Sequence, residues 1–152
     1  MLGLKHADRT DLIKPAAGWM ARAGADLLKA EPLLVPVPIH WVRRVKRRYN
    51  QSAELARSLA ATTGVECLPD ALVRTRPTAE QNGLSPDARF TNQSGSIEVK
   101  LSAQCLLAGR NVVLIDDVMT SGATLSVAAE ALQDAGVSRV SVLTLARAVR
   151  RP

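Results

Sequence analysis

Residues 120–124 read Thr-Ser-Gly-Ala-Thr, and they stand just behind the acid pair Asp116 and Asp117 in the segment VVLIDDVMTSGAT, residues 112–124. Small residues allow a backbone to curl until consecutive amide N–H groups converge on one anion. A helix starting there adds partial positive charge, and the hydroxyls of Thr120, Ser121 and Thr124 add donors. Such a loop is a phosphate cradle built without a lysine. Two carboxylates would repel the phosphate itself, so their natural partners are sugar hydroxyls, which donate to them, or a bridging Mg²⁺. Acid pair and cradle together suit a ribose 5-phosphate. The plainer alternative is an ordinary helix N-terminus behind a solvated strand end, which accounts for each feature singly but less well for the whole segment. The other common phosphate loops, GxxxxGK[ST] and GxGxxG, do not occur in this sequence.

The elements needed to position these residues are legible around them. The run VVLID, 112–116, is the near-continuous apolar type found in strands covered on both faces. Neighbouring strand residues point to opposite faces, so if both aspartates serve one ligand the strand is expected to end at about Asp116. Leu125, Ala128, Ala129, Leu132 and Ala135 mark a helix closed by Gly136, and VSVLTLA, 140–146, supplies another strand. Strand, helix and strand with short joints imply a parallel pair with a right-handed crossover. The cradle then sits beyond the carboxyl end of a parallel strand, where open α/β sheets bind ligands.

Upstream, Ile13, Ala16, Ala17, Met20, Gly24, Leu27 and Leu28 follow helical spacing and predict one helix over about 11–30, with Pro15 in its first turn. LLVPVP, 33–38, predicts a short buried strand ended by its prolines. Asn50 is a candidate N-cap for a helix patterned by Ala53, Leu55, Ala56, Leu59 and Ala60, with Gly64 at its left-handed end. Strand-like pieces are expected at 65–68 and 71–75. The stretch from Arg76 to Gln104, rich in Pro, Asn, Gln, Ser and Gly, reads as a long connection.

A chain of 152 residues, 47% hydrophobic with four aromatic residues, suits one α/β domain. No segment approaches the roughly 18–20 apolar residues of a membrane span, and the N-terminus carries no export signal, so a cytoplasmic location is expected. Cys67 and Cys105 stand alone, as do His6 and His40, so no zinc spacing can be assembled and both cysteines are expected to be buried and inert. A net charge of +6 favours anionic partners without distinguishing nucleic acid from a phosphorylated metabolite.

Four apolar residues, two aspartates, two variable positions and TSGAT resemble the phosphoribosyl-pyrophosphate (PRPP) signature of type I phosphoribosyltransferases. VPVPIHWVRRVKRRYNQS, 35–52, and RTRPTAEQNGLSPDARFTN, 74–92, are similar to paired motifs of the ComF family within that fold. The resemblance departs in two places. Arg48 stands where that family usually has glycine in RGFNQ, and the N-terminal cysteine-rich zinc-binding segment common in ComF-like proteins is absent.

The resemblance implies a parallel twisted sheet with flanking helices, as one phosphoribosyltransferase-type domain over 1–152. Residues 1–31 would form an N-terminal helical hood, 32–152 the core and 76–104 a mobile loop. Thr120, Ser121, Gly122, Ala123 and Thr124 would hold the 5-phosphate, Asp116 and Asp117 the ribose hydroxyls as the catalytic pair, and Mg²⁺ would ride on the pyrophosphate. His40, Arg43 and Arg44 would meet the pyrophosphate. Arg76, Gln81 and Arg89 would be the polar contributors of the mobile loop. The basic cluster Arg43, Arg44, Lys46, Arg47 and Arg48 has three readings: a solvated helix face with Val42, Val45 and Tyr49 turned inward, one or two arginines on the diphosphate, or weak nucleic-acid binding. The partners implied are PRPP or ribose 5-phosphate, with room for weak nucleic-acid binding and for a homodimer. The activity implied is ribosyl transfer from PRPP to an unidentified nitrogen acceptor, or else PRPP binding without turnover in a module tied to DNA uptake.

Overall fold

The structure, a computed structural model, describes residues 12–38, 50–75 and 95–148. Its first helical segment is two pieces, α1 (Ile13–Ala23) and α2 (Ala25–Leu28). The break falls at Gly24, where a Cβ would lie 2.7 Å from Leu143 Cδ2, so the missing side chain lets the helix approach the sheet. One consequence departs from the single helix expected over 11–30. Leu28 is buried, but Leu27 turns outward.

The strands and helices that follow are β1 (Leu33–Pro36), α3 (Gln51–Thr63), β2 (Leu72–Arg74), β3 (Ile97–Val99), α4 (Leu101–Leu107), β4 (Asn111–Met119), α5 (Ala123–Asp134) and β5 (Arg139–Arg147). α3 is bounded as its sequence predicts, by the Asn50 side chain accepting from Ser52 N–H and by Gly64 at φ +74°. β1, β4 and β5 form a parallel sheet in the order β1-β4-β5. Of the strand piece expected at 65–68, only a parallel bridge between Leu34 and Cys67 forms. β2 and β3 make a separate antiparallel pair.

Period-two alternation builds a core on each face of the main sheet. Leu33, Val35, Val112 and Leu114 pack with Leu107, Leu125, Ala128 and Leu132, the side covered by α4 and α5. Leu34, Val113 and Ile115 pack with Ala17, Met20, Leu55 and Leu59, the side covered by α1 and α3. β4 is therefore apolar on both faces, which is why VVLI reads as an unbroken run.

Three expectations are corrected. The strand does not end near Asp116 but runs to Met119, because β5 pairs with it as far as Arg147. Backbone pairing, rather than the needs of the two carboxylates, sets its end. The long connection from Arg76 to Gln104 is structured in its last part: Ile97 is buried opposite Arg74, and α4 begins at Leu101. Residues 76–94 lie outside the described residues. Cys105 is exposed and Cys67 only partly buried. α4 buries Ala103 and Leu107, one turn apart, and this leaves Cys105 on its outer side. Burial pushes the Cys67 thiol up to about 11, with Arg57 opposing, so this cysteine is a poor nucleophile as expected. Among the described residues no helix is long and apolar enough to cross a membrane.

Candidate phosphate and ribose site at the end of β4

Gly122 has φ +80° and ψ −3° and opens α5 as its N-cap residue. Lacking a side chain, it offers no side-chain cap of its own to the helix. The Ser121 hydroxyl makes only a long 3.4 Å contact with Ala123 N–H. The left-handed residue followed by helix turns successive N–H groups to one side, and the dipole of a twelve-residue helix points positive there. Thr120 and Ser121 are exposed, Thr124 is half-buried, and Ala123 is buried toward the core. A Cβ at Gly122 would meet only Met119 Sδ, at 3.9 Å. It is the backbone angle, more than crowding, that requires glycine here.

Asp116 and Asp117 are both half-buried at the same edge. Residues 112–115 alternate strictly between the two cores, a pattern that would aim Asp116 at α5. Its Oδ1 instead accepts from Ser52 Oγ at the start of α3, at 2.9 Å, and from Asp117 N–H, at 3.0 Å. Asp117 Oδ1 accepts from Val118 N–H at 2.8 Å. Each carboxylate is thus steadied by the backbone N–H of the next residue. Burial pushes the Asp116 carboxyl up to about 6, and the Asp117 charge adds to the rise. The bonds from Ser52 and Asp117 N–H oppose it.

Sequence reasoning missed Ser52, a buried polar side chain at 3% exposure. The available signal was its spacing: Ser52, Leu55, Ala56 and Leu59 follow i, i+3, i+4, i+7, which places a hydroxyl in the apolar stripe of α3. Asn50, foreseen as a cap, has a second role. Its Nδ2 donates to Val37 O at 3.2 Å, tying the end of β1 to the start of α3.

The structure brings together Asp116, Asp117 and the loop Thr120, Ser121, Gly122, Ala123 and Thr124 at one sheet edge. His40, Arg43, Arg44, Arg76, Gln81 and Arg89 lie outside the described residues. Among the described residues no three His, Cys, Asp or Glu side chains cluster so as to hold a metal. A cleft of about 370 Å³ between β3 and α5, lined by Ile97, Glu98, Val127, Glu130 and Asp134, runs along the body of α5 and is separate from this edge.

Residues 20–152 match the model of the phosphoribosyl transferase domain. The chain is 33% identical over 121 residues to Competence protein F of Haemophilus influenzae, covering 80% of this chain and 52% of that protein. It is 34% identical over 114 residues to the DNA utilization protein YhgH of Escherichia coli K12, covering 75% of this chain and 48% of that protein. The chain thus spans about half the length of these relatives. A solved structure described as the allosteric regulatory enzyme of purine biosynthesis superimposes with a TM-score of 0.61 at 20% identity, over 92% of this chain and 26% of that one, a likeness of fold. A domain match over most of the chain, two relatives at a third identity and a parallel sheet ending in this loop lead to one assignment. The chain belongs to the phosphoribosyl transferase domain family, as a ComF-type phosphoribosyltransferase-like protein.

Proposed function

We propose that the edge of β4 binds the ribose 5-phosphate part of PRPP and that the protein transfers this group to a nitrogen acceptor. The observation that carries the reading is the left-handed Gly122 opening α5 a few residues beyond the steadied acid pair. Thr120 to Thr124 take the 5-phosphate through backbone N–H groups and hydroxyls. Asp116 and Asp117 accept hydrogen bonds from ribose hydroxyls. The 5-phosphate and the ribose of PRPP are then fixed relative to the anomeric carbon, and such positioning supplies much of the catalysis in transfers of this kind. The C1–O bond to pyrophosphate breaks, a C1–N bond forms, and the acceptor's proton passes to solvent. Mg²⁺ carried in on the pyrophosphate supplies charge neutralisation for the leaving group. The carboxylate oxygens of the pair, already steadied by N–H donors, suit ribose hydroxyls. His40, Arg43 and Arg44 serve the pyrophosphate, and Arg76, Gln81 and Arg89 cover the bound substrates. A cytoplasmic location and a homodimer belong to the same reading.

A second reading is favoured by the names of the relatives, a competence protein and a DNA utilization protein. In it the site binds PRPP or a nucleotide without turnover, and the basic cluster contacts DNA. Release of pyrophosphate from PRPP with Mg²⁺, measured across a panel of bases and ammonia, separates the two. Release with one acceptor, abolished by the Asp116→Asn, Asp117→Asn double variant, supports the transferase. PRPP binding without release supports the module, and no PRPP binding refutes both ligand assignments.

A further inference from the structure

The hydroxyl of Ser52 is buried, sits in the first turn of a helix and bonds a carboxylate on another element. A serine in a first turn ordinarily spends its hydroxyl on its own helix, capping a free N–H or bonding a local carbonyl. Here Asn50 does the capping, because its Oδ1 accepts from Ser52 N–H at 3.1 Å. Ser52 Oγ is thereby released to reach Asp116 Oδ1 at 2.9 Å, across 64 residues of sequence. The same Asn50 side chain donates through Nδ2 to Val37 O. A continuous chain of bonds therefore runs from the end of β1, through the cap of α3, to the Asp116 carboxylate on β4. Asp117 N–H also bonds Oδ1, so both donors hold the same carboxylate oxygen.

We propose that Asn50 and Ser52 form a relay that positions Asp116 for the ribose of the ligand, with Ser52 as the positioning residue in contact with the carboxylate. This rests on the reading that Asp116 receives ribose hydroxyls. A half-buried carboxylate held through one oxygen is oriented in advance, and that orientation costs nothing further when the ligand arrives. Without the hydroxyl, Asp116 loses the donor that ties it to another element and keeps the N–H of its own neighbour, a bond that leaves the carboxylate freer to rotate. Ser52 does not itself touch the phosphate loop. Its removal should therefore be felt by the sugar and not by the phosphate.

The test is calorimetric titration with ribose 5-phosphate and with inorganic phosphate, on wild type, Ser52→Ala, Ser52→Thr, Asp116→Ala and the Ser52→Ala, Asp116→Ala double variant. The relay predicts that Ser52→Ala weakens ribose 5-phosphate about tenfold, in line with one charge-assisted hydrogen bond, and leaves inorganic phosphate unchanged. Ser52→Thr keeps the hydroxyl and should recover most of the loss. In the Asp116→Ala background, Ser52→Ala should cost nothing more, since the group it positions is gone. A purely structural role would weaken both ligands alike and persist without Asp116, and that result overturns the relay. If Asp116→Ala loses ribose 5-phosphate affinity while Ser52→Ala matches wild type, the relay alone fails. If Asp116→Ala binds ribose 5-phosphate as wild type does, the ribose assignment fails and the relay falls with it.

Discussion

Gly122 and Gly136 stand at the two ends of α5 with nearly the same backbone angle, φ +80° and +81°, and each has room for a methyl group. An L-residue held in that region costs roughly 1–2 kcal/mol. If only this strain mattered, Gly122→Ala and Gly136→Ala would behave alike. For a domain of this size each would lower Tm by about 2–8 °C, at about 2–4 °C per kcal/mol. The two sites differ in what the angle does. At Gly136 it ends a helix, whereas at Gly122 it turns the first N–H groups toward one point. A Gly122→Ala chain that relaxes out of the left-handed region must be driven back into it by the ligand, and affinity for ribose 5-phosphate should fall by a factor of about 5–30. Scanning calorimetry and isothermal titration on the two variants measure both quantities. The expected pattern is a lower Tm or weaker binding at Gly122, and a lower Tm with unchanged binding at Gly136. Unchanged Tm together with unchanged ribose 5-phosphate affinity in Gly122→Ala, or equal loss of affinity in Gly136→Ala, would refute the placement of the phosphate at this helix terminus.

Asp116 titrates near 6 in the fold, above its ordinary value of 3.8, so the folded state binds the extra proton between those values. Stability attributable to this group therefore falls as pH rises from about 4 to 6, and Asp116→Asn should raise Tm at pH 7 but not at pH 4. In ligand titrations the sign reverses: protonation removes a charged acceptor, and ribose 5-phosphate affinity should fall between pH 7 and 5 more steeply in wild type than in Asp116→Asn, which reports the ligand's own ionisation. Gly24→Ala forces its Cβ against Leu143 Cδ2 and should cost about 1–3 kcal/mol, measured by urea unfolding, with a less than additive loss when combined with Leu143→Ala. Duplex DNA binding, if carried by three or four cations of the basic cluster, should weaken with a slope of log K against log salt of about −3 to −4. Changing Arg43, Arg44, Arg47 and Arg48 to Gln should flatten that slope, and absence of DNA binding at low salt would remove the nucleic-acid reading.

Local features of this protein were written in the sequence because neighbouring residues alone decide them. The Asn50 cap, the left-handed Gly64 and Gly136, the helix after Gly122 and the buried runs of β1 and β4 each depend on side-chain size, backbone freedom or period over a few positions. The candidate loop and acid pair could be picked out for the same reason, since they occupy a single short segment. Other features depended on contacts between distant parts of the chain. β4 outruns Asp116 because β5 offers partners to Arg147, and the close approach of the first helix to the sheet at Gly24 depends on Leu143 lying where a side chain would go. β3 and α4 emerge from a stretch without periodicity because β2 supplies a pairing edge and Ala71 O accepts from Lys100 N–H. Ser52 shows the division most sharply. Its place in the apolar stripe of α3 could be read from spacing, but its partner lies 64 residues away, and only the packing of α3 against β4 brings the hydroxyl within 2.9 Å of Asp116.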